Sequence, residues 1–561
     1  MDILDKVKST PHSDWPVATQ EISGPARFFG LYGGEHIAAT EFVIGATLVQ
    51  YGCSATDIVV GLAIGNLLAT LSFALLCAPI AVDTRLSLYT YLQKVVGVNV
   101  QKLYNLVFGL GFAALGATGI CVSATAIRRV FDIPVQLEWY PTSLGFVIVV
   151  LALGAVVVSV AANGFKGVSR FATKCVPWMI MIFALAYIVV LPMLADSVGY
   201  GKIHSLSDAF NILDQYCWRQ TPEAQSKGMG IWHVIAFAWT INVALHIGLN
   251  DMAVLRYAKK KSYGYISAMG MFVGHYFAWI GAGILGAAAS TVLNKDLGLL
   301  DSGEVTFAVL GYAGLLGVVI AGWTTANPTI YRVTLSFNNL FPRFSYKQMC
   351  AIAGTVIVIA ACFPCVQAAD SVLTYLGLVV EGIGAIVIAE HLVFPHIGYT
   401  RYWSMYKGDK TNVPALISWM LSFVFFALML VYRPIHQNFW FIPNFFIPFF
   451  SYIILAGLMG ARRKYDTKQQ EELEYEKALQ EYVDKHTVLA ERLRSTMPMT
   501  VAKVFQYVAL GAMAVTGIVY AEGCVTVEQM KGYELAFTVV YFICIITSSL
   551  LENVERKKLQ Q

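Results

Sequence analysis

The chain is 561 residues long, with 57% hydrophobic and only 13% charged residues, a mean hydropathy of +0.62 and a formal net charge of +4. This balance excludes a large soluble protein and points to an integral membrane protein. So few charges leave no basic face for nucleic acid, and the ten cysteines show no framework of paired spacings.

Residues 1–26 are polar, lack a basic-then-apolar signal layout and read as a cytosolic tail. The first apolar segment, 27–50, contains Gly30-Leu31-Tyr32-Gly33-Gly34-Glu35-His36-Ile37-Ala38-Ala39-Thr40-Glu41. Ionisable groups at membrane depth are costly, so they face a cavity or a partner rather than lipid. A glycine pair ahead of them lets the backbone leave helical geometry, and freed carbonyls then coordinate a cation. The expectation is a helix broken at mid-membrane.

Further segments able to cross about 30 Å of hydrocarbon follow along the chain. They run over 56–81, 103–127, 142–161, 174–195, 230–255, 264–290, 312–337, 348–366, 371–394, 413–432, 438–460, 501–521 and 533–552. With the first, that makes about fourteen. Placing the N-terminus inside collects Lys166, Arg170, Lys174, Arg256, Lys259, Arg343, Lys347, Arg401, Arg462 and the Arg556-Lys557-Lys558 tail on the cytosolic side. Arg128 and Arg129 are the exception, at an outer end. Both termini are therefore expected in the cytosol, in a multi-pass protein of the cell membrane.

Two stretches are polar. Residues 196–229 form an outer loop with Trp218-Arg219. Residues 462–496 read as a charged helix with opposite charges four apart at Lys468–Glu472, Lys477–Glu481 and Glu481–Lys485. Two readings fit it: a solvated cytosolic helix, or a surface for a protein partner. The expected layout is a tail (1–26), a ten-helix core (27–394), two helices (395–460), the charged helix (461–500), two more helices (501–552) and a tail (553–561). The close pair Cys362-Phe363-Pro364-Cys365 fits either a redox or metal role or two small residues flanking a turn.

The eighth segment carries Gly322-Trp323-Thr324-Thr325-Ala326-Asn327-Pro328-Thr329-Ile330-Tyr331-Arg332. Adjacent hydroxyls at Thr324 and Thr325 suit a small hard cation, or each bonds back to a carbonyl of the preceding turn. In the sixth segment Trp239, Asn242, His246 and Asn250 share one helical face by spacing, ahead of Asp251 and Arg256. Such a face meets a cavity or a tight bundle contact. His275 and Glu381 are further buried candidates, and Glu381 either relays protons or pairs with Arg332.

Together these residues resemble the nucleobase–cation symporters, the family of cytosine permease and the hydantoin, allantoin, uracil and thiamine transporters. The resemblance covers about residues 25–460. Its anchors are Gly45-Ala46-Thr47-Leu48, Gly65-Asn66-Leu67-Leu68, Asn163-Gly164-Phe165-Lys166-Gly167, Leu255-Arg256-Tyr257-Ala258-Lys259 and Thr324-Thr325-Ala326-Asn327. Ala389-Glu390-His391, Tyr402-Trp403, Lys407-Gly408-Asp409 and Val413-Pro414-Ala415 complete the series. It implies an all-α, leucine-transporter-like fold: 5+5 inverted repeats with helices 1 and 6 broken, here followed by four more helices.

The resemblance also implies a sodium site of helix 1 carbonyls and helix 8 hydroxyls. Its matches are the carbonyls of Gly34, Ile37 and Ala321 with the side chains of Thr324 and Thr325. The family's flat-ring substrates stack between aromatics, but the matching positions are Ala114 and Ala244. Polar family positions match Ala38 and Ile330, or Asn327 in a shifted register. Glu35, His36, Glu41 and His246 add polarity that the family pattern does not require. With Thr118 and Trp239 these make the candidate solute site.

The expectation is therefore a sodium-coupled importer of a nucleobase-like or related heterocycle, with no catalytic residues and no cofactor beyond the coupling ion, sodium or a proton. Three alternatives stand beside it. One is a proton-coupled transporter of a cationic or non-heterocyclic solute, and another a non-transporting solute receptor on the same chassis. The third is a haem or redox membrane subunit using His36, His246, His275 and His391, no two of which share a helix at ligand spacing.

Overall fold

Long apolar runs in hydrocarbon must satisfy every backbone group internally, and helices do so within one segment. The computed structural model describes residues 3–136, 138, 140–219, 222–226, 229–243, 246–295, 301–363, 369–487 and 496–560. Among them the architecture is all helical, with a single isolated bridge between Ser23 and Ala258. Eleven helical stretches are long and apolar enough to cross a membrane.

The polar tail carries α1 (Ile3–Ser9). The first apolar segment is α2 (Pro25–His36) and α3 (Ala39–Gln50), separated by a two-residue break. Ile37 leaves helical geometry (φ −86°, ψ 64°) and Ala38 is extended (φ −98°, ψ 147°). Next come α4 (Ala55–Ser72) and α5 (Ala78–Thr84), joined by a π turn, then the short α6 (Leu88–Val95) and the long α7 (Val98–Val130). α8 (Leu144–Ala161) and α9 (Gly164–Ser197) follow, and the loop after them holds α10 (Leu206–Ile212) and α11 (Pro222–Ser226).

The sixth segment is also broken. α12 (Ile231–Val243) ends, residues 246–251 form turns with Leu249 at φ 63°, and α13 (Met252–Leu255) resumes. α14 (Tyr263–Leu293), α15 (Ser302–Leu340), α16 (Tyr346–Ala361), α17 (Ala369–Ile388) and α18 (Trp403–Lys407) follow. α19 (Val413–Tyr432), α20 (Phe441–Met459), α21 (Asp466–His486), α22 (Met497–Ala521) and α23 (Val527–Gln560) complete the chain.

α7 lies along α15, and α2 lies against both α14 and α9. Two glycines permit these approaches. A Cβ on Gly322 would sit 2.5 Å from the Gly119 carbonyl, and one on Gly274 would sit 2.8 Å from the Cβ of His36. The second contact presses α14 onto the end of α2, where the break begins. α19 and α20 pack on α17, while α22 and α23 pack on α9 and α15. Arg128, one of the two basic residues that ran against the expected orientation, forms an ion pair with Asp301.

The charged helix is not simply solvated. α21 buries Leu479 and Val483 against Val7 and Ala18 of the tail. Asp484 accepts from both the backbone N–H and the hydroxyl of Thr19, each at 2.8 Å. Lys94 of α6 donates to Glu472 at 2.7 Å and pairs with Glu476 as well. Burial disfavours the Lys94 ammonium, but the carboxylates of Glu476 and Glu472 outweigh it and hold the amine above the ordinary lysine range. The partner of this helix, within the chain, is the chain's own N-terminal tail.

Candidate functional site

The two breaks meet on α15. Glu35 stands in the last turn of α2, Asp251 immediately before α13, and Arg332 on α15; none is more than 4% exposed. The Arg332 guanidinium donates bidentately to Glu35, with Nη2 at 3.2 Å from Oε2, and Nη2 also lies 3.1 Å from Asp251 Oδ1. Asp251 further accepts from the Tyr32 hydroxyl at 2.8 Å and faces His246 Nδ1 at 2.6 Å. A guanidinium taken out of water is tolerable only with such paired, hydrogen-bonded geometry. Arg332 is thereby the pin that joins both breaks to α15, on the helical stretch beyond its kink at Gly311.

Beside this cluster lies a layer of histidines. His36 Nδ1 is 2.6 Å from the Tyr32 carbonyl, which makes it the protonated nitrogen, and Nε2 has no partner among the described residues. The His36 ring lies 4.3 Å from that of His275, edge to face, and 5.4 Å from that of His246. His275 stacks on Trp279 at 4.5 Å and places Nε2 3.8 Å from Glu41 Oε1, while Glu41 accepts from the Trp279 indole. A small cavity of about 30 Å³ is lined here by Glu35, His36, Glu41, Asn242, His275 and Thr325, closed off by Leu115, Ile241, Thr329 and Leu373. It has room for a small ion or a couple of waters.

Of the predicted cation set, Thr324, Thr325 and the Ala321 carbonyl lie together, and the carbonyl that reaches them from the first segment is that of Glu35. Thr325 Oγ1 donates to the Ala321 carbonyl at 2.9 Å and lies 3.2 Å from the Glu35 carbonyl across the break. Thr324 Oγ1 bonds back to Ile320 and Ala321 and sits 3.9 Å from Met179 Sδ. Both readings of these hydroxyls thus coexist: they bond to the preceding turn, and Thr325 also reaches the other helix. Gly34 backs onto Thr324, where an added Cβ would come 3.5 Å from the threonine Cβ. Oxygen atoms of Glu35, Ala321, Thr324 and Thr325 therefore converge beside the kink at Ile37, and an all-oxygen set suits a hard cation.

The candidate solute residues divide. Glu35, His36 and Glu41 line the cavity, with Ala38 fully buried at the break and His246 behind His36. Ala114 is half-buried one residue before the lining Leu115, and Thr118 donates back to its carbonyl at 3.0 Å. Trp239 instead packs on Phe441, ring centroids 4.9 Å apart. Asn327 turns to α8, its amide nitrogen 2.9 Å from the Val157 carbonyl and its oxygen 3.0 Å from the Trp323 indole. Ala244 and Cys365 lie outside the described residues.

Asn242 and His275, singled out in the sequence but not placed in the solute set, line the cavity, as do Thr329 and Leu115, which sequence spacing missed. For Thr329 a signal existed, since it stands one turn beyond Thr325 on the same face. Glu381 does not pair with Arg332; it accepts from Asn444 at 2.8 Å. His391 faces the Tyr91 hydroxyl at 2.6 Å, apart from the other three histidines.

No protein-family model matches the sequence, and no curated protein sequence matches it either. Solved structures do resemble the fold. Mhp1, a nucleobase-cation-symport-1 family transporter in a closed conformation with bromovinylhydantoin bound, matches at a TM-score of 0.63 and 16% identity over 84% of this chain and 99% of that one. Inward-facing Mhp1 matches at 0.59 and 15% identity over 82% of this chain and 97% of that one. An outward-open, substrate-bound sodium-coupled sialic acid symporter matches at 0.54 and 14%, covering 81% and 94%. The chain therefore has the fold of multi-pass membrane transporters, at an identity that speaks to fold alone.

Proposed function

We propose that this chain is a secondary active transporter, a sodium-coupled importer that moves a small organic solute by alternating access. Its core is read as inverted repeats of five helices, with α2–α3 and α12–α13 as the broken first and sixth, in a protein of fourteen crossings with both termini cytosolic. The observation that carries the proposal is the break at Ile37–Ala38 held against Thr324 and Thr325, with a polar cavity beside it.

Sodium among the Gly34, Ile37 and Ala321 carbonyls and the two threonine hydroxyls would tie α2 to α15. An ion drives uptake only through differential affinity for the conformational states, and a ligand set split between two helices supplies that difference. At about 30 Å³ the cavity is smaller than any heterocycle, so the solute enters a state in which α3 and α12 have moved away from α15. Glu35, His36 and Glu41 then give it acceptors for ring N–H groups. Uptake into proteoliposomes under an imposed sodium gradient tests this, after a melting-temperature screen of nucleobases, hydantoins, thiamine and amines with and without sodium. Uptake indifferent to sodium, and unchanged in Thr325→Ala, overturns the sodium assignment.

Proton coupling is the second reading, favoured by one observation. Glu41, His275, His36, His246 and Asp251 form a contiguous buried series, each within 5.4 Å of the next by ring or atom distance. An imposed pH gradient that drives uptake without sodium, and fails in His36→Gln, selects it.

A further inference from the structure

Arg256 is an anomaly among the buried cations. Four Lys or Arg side chains are buried among the described residues: Lys94, Arg128, Arg256 and Arg332. Three have carboxylate partners: Lys94 has Glu472 and Glu476, Arg128 has Asp301, and Arg332 has Glu35 and Asp251. Arg256, 7% exposed, has no carboxylate at ion-pair distance; neutral groups hold it, and the Glu21 carboxylate acts on it only from farther off. Its Nη2 donates to the hydroxyls of Tyr331 at 3.2 Å and Tyr257 at 3.4 Å, and its Nε to the Ala253 carbonyl at 3.2 Å. Burying a charge without a counter-charge in contact is expensive, so an anion seated on the guanidinium is the economical explanation.

The space for that anion is present. Arg256 lines a cavity of about 780 Å³ at the end of the bundle that carries the N-terminal tail, roofed by residues of the tail and by Val483 of α21. Arg343 and Lys347, both exposed, line it as well, and neither has a carboxylate partner among the described residues. Its one lining carboxylate, Glu21, is taken by Lys166 at 2.9 Å. Flat walls come from Tyr257, stacked on Phe165 at 4.2 Å, and from Tyr346 beside Tyr331. One guanidinium fixed in depth and two cations at the rim favour an anion with more than one charged group. The planar fork of arginine fits phosphate, and basic pockets between membrane helices take phosphorylated headgroups.

We infer that the cavity around Arg256, Arg343 and Lys347 binds a multiply charged phosphate anion, carried by a lipid headgroup or by a soluble phosphoester. The site is separate from the ion and solute residues above, and no step of transport uses its cations. The test is the melting temperature of the full chain in phosphatidylcholine nanodiscs. One arm adds inorganic pyrophosphate; the other builds phosphatidylinositol 4,5-bisphosphate into the disc. A rise of a few degrees is expected in at least one arm. A rise with pyrophosphate assigns the soluble source, and a rise with the lipid alone assigns the headgroup. The rise is lost in Arg343→Gln/Lys347→Gln, a pair of exposed substitutions that leaves the core intact, and in Arg256→Gln. No rise in either arm, or a rise that survives the exposed double substitution, overturns the inference.

Discussion

The guanidinium of Arg332 reaches Glu35 at the break of the first segment and, 3.1 Å away, Asp251 at the break of the sixth. Two chain interruptions more than 200 residues apart in sequence are thus held by one side chain of α15, on the stretch that follows its own kink at Gly311.

Removing Arg332 leaves Glu35 buried without its ion pair and Asp251 with Tyr32 and His246 alone. Arg332→Gln is expected to cost about 3–5 kcal/mol, the range for breaking a buried pair. Glu35→Gln combined with Arg332→Gln recovers part of that loss. Denaturation of the purified chain measures both, and equal losses in the single and double variants contradict the pairing.

Thr325→Ala removes the hydroxyl that links Ala321 to the Glu35 carbonyl. On the sodium reading, the sodium concentration for half-maximal uptake rises about tenfold, equivalent to about 1.4 kcal/mol. Solute-independent stabilisation by sodium falls in parallel, which a melting series in sodium and choline chloride follows.

Gly322→Ala forces a Cβ to within 2.5 Å of the Gly119 carbonyl, a backbone atom that cannot swing away. α7 and α15 must separate, at a cost of about 1–3 kcal/mol. A melting temperature equal to the unmodified chain refutes the close approach.

Asp484→Ala strips the acceptor from Thr19 and from Gln480, which donates to it at 3.0 Å. The tail is then expected to leave α21, and limited trypsin digestion at Lys6 and Lys8 accelerates severalfold. Cleavage there at an unchanged rate refutes a tail held by this contact.

Burial raises the carboxyl of Asp14 above its ordinary value, against hydrogen bonds from Ser13 and Asn339 that lower it. The ionised form is therefore disfavoured in the fold. Stability linked to this group is complete below the unfolded value near 3.8 and is lost as pH rises through the folded value. Asp14→Asn, which keeps an acceptor for Asn339, is expected to melt above the unmodified chain at pH 7 and to match it near pH 3.5. A constant difference across that range rejects the assignment.

Much of this was legible in the residues. Glu35 and His36 in an apolar run announced the first break, because no uninterrupted helix carries such groups through lipid unaided, but the glycine pair stays helical within α2 and the chain turns at Ile37–Ala38 instead. Adjacent hydroxyls at Thr324 and Thr325 announced what the break meets. Two assignments failed. Trp239 stands three residues before Asn242 on α12, yet it packs on Phe441 of α20 while Asn242 faces the cavity. Asn327 lies about 200° around α15 from Thr325 at 100° per residue, so it looks at α8 instead. α21 showed its charges plainly, while the stripe of Tyr475, Leu479 and Val483 at intervals of four marked the face that the tail covers.

The sequence by itself determined the membrane class and the broken first segment, because hydropathy and local backbone freedom are properties of short windows. Only the tertiary structure decided that Arg332 takes Glu35 and Asp251 while Glu381 takes Asn444, and that Arg256 is left with phenols. Each of these buried cations has several carboxylates within the same span of sequence. Which one it meets depends on how the helices cross, and that information is carried by no single stretch, least of all the one that breaks at Ile37.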